Sequence, residues 1–298
     1  MAPRARVLLM ALAVDVVCGE PPACLHPVVA MGRGLDWLEQ HAPVARSSRL
    51  VYGVGVAIVY PLAWAMVTEL LFGRAPWPLQ AVVLKSTLAG RALLEAGARV
   101  EAALASGDAT AGRQHLRALV SRSTEELEGG HLASAAVESL AENLVDSWLA
   151  PLLAFATVGL GGATAYRVMN TADAMWGYHT ARYEALGKAV ARLDDALNWL
   201  PARVGAALLV LASGGSRAAL DVWRRDGGGT ASPNAGQVMA SAAGALGVQL
   251  EKVGHYRLNA PAPLPEPGTI GASRRLVGRA MVLSAVLALA GCWLRPRG

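Results

Sequence analysis

Residues 50–68 carry no charge. A run of that length, wound as a helix, crosses the hydrocarbon core of a bilayer, where every backbone polar group must find a partner inside the protein. Pro61 inside the run is tolerable there, because neighbouring helices and local adjustments satisfy the group it frees. The composition points the same way: 16% of the 298 residues are charged and 54% are hydrophobic, where a soluble globule carries about 25% charged residues. With 32 Gly and only 2 Phe, the apolar mass is Ala, Val and Leu, which suits close helix packing in lipid. The expected fold is all-α: a polytopic integral membrane helical protein, one domain over residues 1–298, with a polar helical site on the cytoplasmic side.

The net charge is +5. Basic loops on the cytoplasmic side of a membrane protein produce such a balance. No Lys/Arg run is interleaved with aromatics, so no nucleic-acid partner is expected. The cysteines Cys18, Cys24 and Cys292 form no CxxC pair, which indicates free thiols rather than a disulfide framework or a zinc site. The N-terminus resembles a signal peptide, but Asp15 interrupts its apolar region and no small-residue cleavage site precedes Cys18. It is expected as a retained first membrane helix, with Arg4 and Arg6 holding its start in the cytoplasm. Basic residues at both chain ends place both termini on that side, which gives an even number of spans.

Apolar periodicity over residues 85–105 predicts one amphipathic helix, followed by a break at "SGDAT" where Asp108 or Thr110 caps the next helix. "GLGG" near residue 160 reads as a turn or a close-packing point. Residues 204–215 are apolar but short for a span, as in a buried or re-entrant helix. "RRDGGGTASPNAG" reads as a loop, 261–268 as a Pro-rich connector, and 276–294 as a final apolar helix. Strand signals are weak throughout.

Polar residues recur where such a chain should avoid them. In "ESLAENLVDSWLAP", Glu138, Glu142 and Asp146 fall four apart on one side of a helix, with Asn143 beside them. Like charges at that spacing repel, and an unpaired carboxylate near lipid costs about 2.5–3.5 kcal/mol or more. A divalent cation or arginines would offset both costs, and Mg²⁺ bound through one or two carboxylates plus phosphate is the usual arrangement. The plainer alternative is a solvated helix end. In "YRVMNTADAMWGYHTARY", Asn170 and Asp173 lie one turn apart near Tyr166 and Arg167, and Tyr178, His179, Arg182 and Tyr183 continue past Gly177. A membrane-surface aromatic belt explains Trp176 and Tyr178, but not the Asn/Asp pair. In "ARLDDALNWLPARV", adjacent Asp194 and Asp195 point to different sides, so that one can pair with Arg192 or Arg203 while the other binds a ligand. Asn198 lies one turn beyond Asp194. Here the alternative is a salt-bridged surface helix. "GEPPACLHPVVAMGR" makes a rigid loop with His26 and Arg33 at its polar tips. In "SPNAG", Ser232 caps a helix with Pro233 at its first position, next to Asn234, and such a start presents amides to phosphate. The P-loop, GxSxG and HExxH signatures are absent.

In this order the five pieces resemble the CbiB/CobD family of cobalamin biosynthesis proteins, the adenosylcobinamide-phosphate synthases, over about residues 15–256. The chain departs from the pattern before the acidic helix, where many members read Arg-Asp and this chain has Arg122 followed by Ser123. The resemblance implies an ATP- and Mg²⁺-dependent amide ligase, multi-pass in the cell membrane, with its active site on the cytoplasmic side. Its partners would be membrane lipid and other late cobalamin-pathway membrane enzymes. Its corrinoid substrate would be adenosylcobyric acid, joined through a propionate carboxyl to (R)-1-amino-2-propanol O-2-phosphate or to the free amino alcohol.

On that reading Glu138, Glu142 and Asp146, with Asp173 or Asp194, hold Mg²⁺ and its phosphates. Glu138, Glu142 and Asp195 are the expected catalytic residues, Asp195 accepting the proton of the amine. Asn143, Asn170 and Asn198 orient groups by hydrogen bonds, and Arg182, Arg192 and Arg203 fork onto phosphate oxygens. His26, Arg33, Tyr178, Ser232 and Asn234 complete the substrate-binding set. The alternative is a non-enzymatic membrane protein (a transporter, a sensory relative or a corrinoid-binding scaffold), because intramembrane carboxylates also mark ion and substrate pathways.

Overall fold

The structure, a computed structural model, describes residues 3–120, 123–178 and 180–294. Arg122, His179 and the basic tail after Leu294 lie outside the described residues. The chain runs through helices α1 (Pro3–Cys18), α2 (Pro27–Gln40), α3 (Arg46–Phe72), α4 (Trp77–Lys85), α5 (Gly90–Ala105), α6 (Ala109–Leu116) and α7 (Gly129–Leu144). It continues through α8 (Ala150–Thr157), α9 (Leu160–Trp176), α10 (Lys188–Ala212), α11 (Arg217–Asp226) and α12 (Ala235–Leu246). A short hairpin, β1 (Leu250–Lys252) and β2 (Tyr256–Leu258), precedes the last helix, α13 (Pro267–Leu294).

This is the all-α membrane architecture that the composition predicts. Among the described residues, α3, α10 and α13 are long and apolar enough to cross a membrane. The outward face of α3 presents Val51, Val59, Leu62, Met66 and Leu70, all at least 60% exposed, as a lipid-facing helix requires. Three helices do not make the expected even number. The expected first span, α1, has 16 residues, about 24 Å of helix at 1.5 Å per residue, short of a hydrocarbon core of about 30 Å.

Two other boundaries differ from expectation. The apolar stretch at 204–215 is not a separate short helix. It belongs to α10, which runs unbroken through Pro201 for 25 residues and so gains the length of a span. The helix expected over 85–105 begins only at Gly90, as α5, and Lys85 ends α4. Ser86 and Thr87 donate their hydroxyls back to the carbonyls of Val83 and Leu84, both at 2.7 Å, competing with the helix ladder just after Lys85. Asp108 does cap α6, accepting the amide of Ala111 at 2.9 Å, and Gly159 makes the expected turn before α9 with φ +112°.

The chain packs as two compact units. The first comprises residues 1–89, 150–197 and 287–298, the second residues 90–149 and 198–286. In the first unit α3 lies along α9 and α1 along α4. Its core gathers Leu35, Val56, Met169, Trp176, Leu186 and Val190. In the second, α11 lies on α12, and α5, α12 and β1 all lie on α7. The hairpin is antiparallel, with Leu250 opposite Leu258 and Lys252 opposite Tyr256, turned by Gly254 at φ +75°. Arg274 of α13 clamps α5 there, donating to the carbonyl of Leu94 at 2.9 Å and to Glu101 at 2.8 Å.

Candidate active site

The segment expected as one acidic helix is α7 up to Leu144, then a π-helical turn over Val145–Leu149, then α8. Such single π turns occur inside α-helices, frequently at functional sites. Glu138 is 4% exposed, so it is not a solvated helix end. Its Oε1 accepts from Ser134 Oγ at 2.7 Å and its Oε2 from Tyr256 OH at 2.8 Å. The same Ser134 hydroxyl accepts the amide of Glu251 at 2.9 Å. Glu138 therefore fastens α7 to the hairpin, and hydroxyl donors occupy both of its oxygens. Glu142, Asn143 and Asp146 are half-buried. Asn143 donates to the carbonyl and hydroxyl of Ser139, at 3.0 and 3.1 Å.

Three elements converge at Gly205 in the second unit. A Cβ there would sit 2.9 Å from a methyl of Val145 in the π turn and 3.1 Å from a methyl of Val238 in α12. The absence of a side chain lets α10, the π turn and α12 approach closely, each carrying predicted site residues. On α10, Asn198 is buried, and Arg203 packs over the Trp199 ring with 4.3 Å to its centroid. Arg203 Nη1 donates to the carbonyl of Trp199 at 2.7 Å and to Asn234 Oδ1 at 3.3 Å. Asn234, not Ser232, is the residue at the cap of α12, and its side chain makes no capping bond. Ser232 instead folds the turn before the helix, accepting the amide of Asn234 at 3.2 Å. The helix start is also less open than expected, since Thr230 Oγ1 accepts the Gly236 amide at 3.0 Å.

Beside Arg203 lies a cavity of ≈ 530 Å³ lined by Arg203, Leu220, Trp223, Arg224, Gly227, Gly228 and Gln237. Gln237 frames it, donating to the carbonyl of Gly227 at 2.8 Å and accepting from Trp223 Nε1 at 2.9 Å. A Cβ at Gly228 would meet nothing within 4 Å, so the backbone there is open to a ligand. Asp226 anchors the loop by accepting the amide of Asn259 at 2.6 Å. The Arg225 hydrogen bond holds its carboxyl below the usual range against the opposing effect of burial. Sequence reasoning missed Trp223, Arg224 and Gln237. The signal was present in "DVWRRDGGG", where a helix ending in two arginines runs into three glycines.

The remaining predicted residues belong to the first unit. Arg33, Tyr178 and Arg192 are exposed, while Asp173 and Asp195 are half-buried and Asp194 is buried. Asn170 accepts from Arg167 at 3.4 Å. Arg182 pairs with Glu39 at 2.7 Å and lies over Tyr183, 5.1 Å from the ring centroid. His26 has both ring nitrogens engaged. Nδ1 accepts the Val28 amide at 3.2 Å and caps α2, which leaves the proton on Nε2 to meet Glu20 at 2.9 Å.

Glu20 in turn accepts from Lys85 at 2.7 Å, and Lys85 lies 2.9 Å from Asp15. Burial would push the Glu20 carboxyl up, but hydrogen bonds from His26 and Lys85 outweigh it and hold the carboxyl below its ordinary value. The interruption of the apolar N-terminus by Asp15 was legible. Its partner, 70 residues on, was not.

Among the described residues no three or more His, Cys, Asp or Glu side chains assemble as a metal cage. Of the acids on α7, Glu138 accepts from Ser134 and Tyr256. Glu142 and Asp146, one turn apart with Asn143, are a hard-oxygen donor set of the size that Mg²⁺ takes from a protein when phosphate supplies other oxygens.

Residues 8–285 match the CobD/Cbib protein family. The chain is 38% identical over 289 residues to "Cobalamin biosynthesis protein CobD" of Dehalococcoides mccartyi (strain CBDB1), which covers 92% of each chain. It is 39% identical over 261 residues to "Probable cobalamin biosynthesis protein CobD" of Methanothermobacter thermautotrophicus, covering 86% of each. It is 42% identical over 246 residues to "Cobalamin biosynthesis protein CobD" of Stutzerimonas stutzeri (strain A1501), covering 80% of each. No solved structure matches it. A match of this extent, over a helical membrane fold, means that the chain belongs to the CobD/Cbib family.

Proposed function

We propose that this protein works in cobalamin biosynthesis as an amide ligase: it joins a propionate carboxyl of adenosylcobyric acid to the amine of (R)-1-amino-2-propanol O-2-phosphate or of the free amino alcohol, at the expense of ATP. The family supports the pathway. The observation that carries the chemistry is the second unit's basic cavity, which Arg203 and Arg224 line together with the open backbone of Gly228. Guanidinium forks and backbone amides are the groups that recognise phosphate.

ATP supplies the phosphoryl group that turns a poor electrophile, the carboxylate, into one an amine can attack. Glu142 and Asp146 would hold its Mg²⁺, which fits their half-buried position and oxygen-only donor set. Arg203 and Arg224 neutralise phosphate charge in the cavity, and Trp199 and Asn234 fix the orientation of Arg203. Glu138 acts as a positioning residue, holding α7 against the hairpin through Tyr256. In the first unit Asp195 is the proposed acceptor of the amine proton, and Asp173, Asp194, Asn170, Arg182 and Arg192 belong to the same proposal as ligand-binding residues. We place the site on the cytoplasmic side of the cell membrane.

The test is the purified protein in detergent with ATP, Mg²⁺, adenosylcobyric acid and the amino-alcohol phosphate. ATP is consumed only when both organic substrates are present, and mass spectrometry finds the amide. Corrinoid binding without turnover would instead make the protein a scaffold, and ATP consumption independent of the amine would overturn the ligase reading.

A further inference from the structure

The first unit contains a second cavity, of ≈ 470 Å³, lined by Arg46, Ser47, Leu50, Glu184, Ala185 and Lys188. Arg46 and Lys188 are the first residues of α3 and α10, two of the three helices fit to cross a membrane. Leu50 opens the charge-free run of α3. The cavity therefore sits where a polar helix start passes into lipid-facing surface.

Its walls are fixed by two close approaches. A Cβ at Gly53 would collide with the carbonyl oxygen of Leu186, and one at Gly187 with that of Trp176, so this segment is wedged between α3 and the end of α9.

The first turn of α3 has more donors than the protein supplies acceptors. The residue at its cap, Ala45, offers no side-chain oxygen. Among the described residues the Arg46 side chain makes no hydrogen bond or ion pair, and Arg49 keeps a buried Nε with no hydrogen-bond partner. Lys188 is 59% exposed and stands 4.0 Å from Glu184, the outer limit of an ion pair. Among the described residues that line the cavity, two cations, Arg46 and Lys188, stand against one carboxylate, Glu184.

We propose that this cavity seats the phosphate headgroup of an anionic phospholipid, with the acyl chains passing onto the apolar face of α3. Basic pockets between membrane helices bind such headgroups, and juxtamembrane cations each contribute to the attraction. A cavity of this size exceeds a bare phosphate and accommodates the glycerol as well. The proposal rests on the membrane location alone and is independent of the ligase reading.

The protein is equilibrated with vesicles of phosphatidylglycerol and phosphatidylcholine in equal amounts, re-purified, and its retained lipid measured by mass spectrometry. Phosphatidylglycerol is enriched around the wild type. Each of Arg46→Gln and Lys188→Gln lowers the enrichment about fivefold, and the pair about 25-fold. Glu184→Gln, which removes the one carboxylate among the described residues that line the cavity, raises it, so the proposal stays testable if the double variant fails to fold.

Equal retention of both lipids by the wild type overturns the proposal, as does unchanged enrichment in the variants. Millimolar inorganic phosphate leaves the retained lipid in place. If it displaces the lipid, the seat belongs to a free phosphate ester and the lipid assignment falls.

Discussion

In the first unit Lys85 is 3% exposed, donates to Glu20 at 2.7 Å and to the carbonyl of Leu88 at 3.1 Å, and forms an ion pair with Asp15 at 2.9 Å. In the second unit, the cations that line the basic cavity keep donors in reserve. A guanidinium has five N–H groups. Arg203 donates through Nη1 to Trp199 and Asn234, and among the described residues the Arg224 side chain makes no hydrogen bond or ion pair. The contrast separates two uses of charge in an apolar protein. A cation buried between the fold's own acids holds the fold, whereas one with donors to spare is what the proposed phosphate ligand would use.

The largest test of this contrast is Lys85→Met. It leaves Asp15 and Glu20 without their ammonium and should lower stability by about 3–5 kcal/mol, read by thermal unfolding in detergent. A loss below about 1 kcal/mol would mean that water reaches the acids. Next, Arg203→Ala and Glu142→Gln should each cut turnover by about 100-fold or more, equivalent to about 2.7 kcal/mol of barrier, while unfolding moves by less than about 1 kcal/mol. If Arg203→Ala unfolds the protein as Lys85→Met does, the distinction collapses.

Tyr256→Phe removes one hydroxyl from Glu138 and should cost about 1 kcal/mol. This sharpens the comparison, since a neutral donor lost from a buried carboxylate should cost less than a cation lost.

The smallest effect is in pH. The Glu20 carboxyl is depressed in the fold. Its contribution is therefore complete above the ordinary glutamate value of about 4.3 and is lost as pH falls through the lower folded value. Glu20→Gln should flatten the acid limb of a stability–pH curve, and an unchanged limb would place the acid sensitivity elsewhere.

Much of this was legible in the chain. The charge-free run gave α3, Asp108 announced the start of α6, and the acid-and-amide spacing of 138–146 marked the helix that carries Glu138, Glu142 and Asp146. What escaped was set by distant pairing. Lys85 looked like one polar position of an amphipathic helix, because nothing local says that it points at Asp15 and Glu20. The tie from Glu138 to the hairpin escaped for the same reason: its hydroxyl partner Tyr256 comes 118 residues later. The cap of α12 shifted from Ser232 to Asn234 because Ser232 spends its hydroxyl on the preceding turn, a choice that helix-start preferences do not resolve.

Gly205 has one more implication. Val145 and Val238 are β-branched and stiff, so neither methyl can swing aside to admit a neighbour. The approach of α10 to the π turn and to α12 is thus gauged by a hydrogen atom. An alanine here would act as a shim, prising these elements apart without altering a single charge.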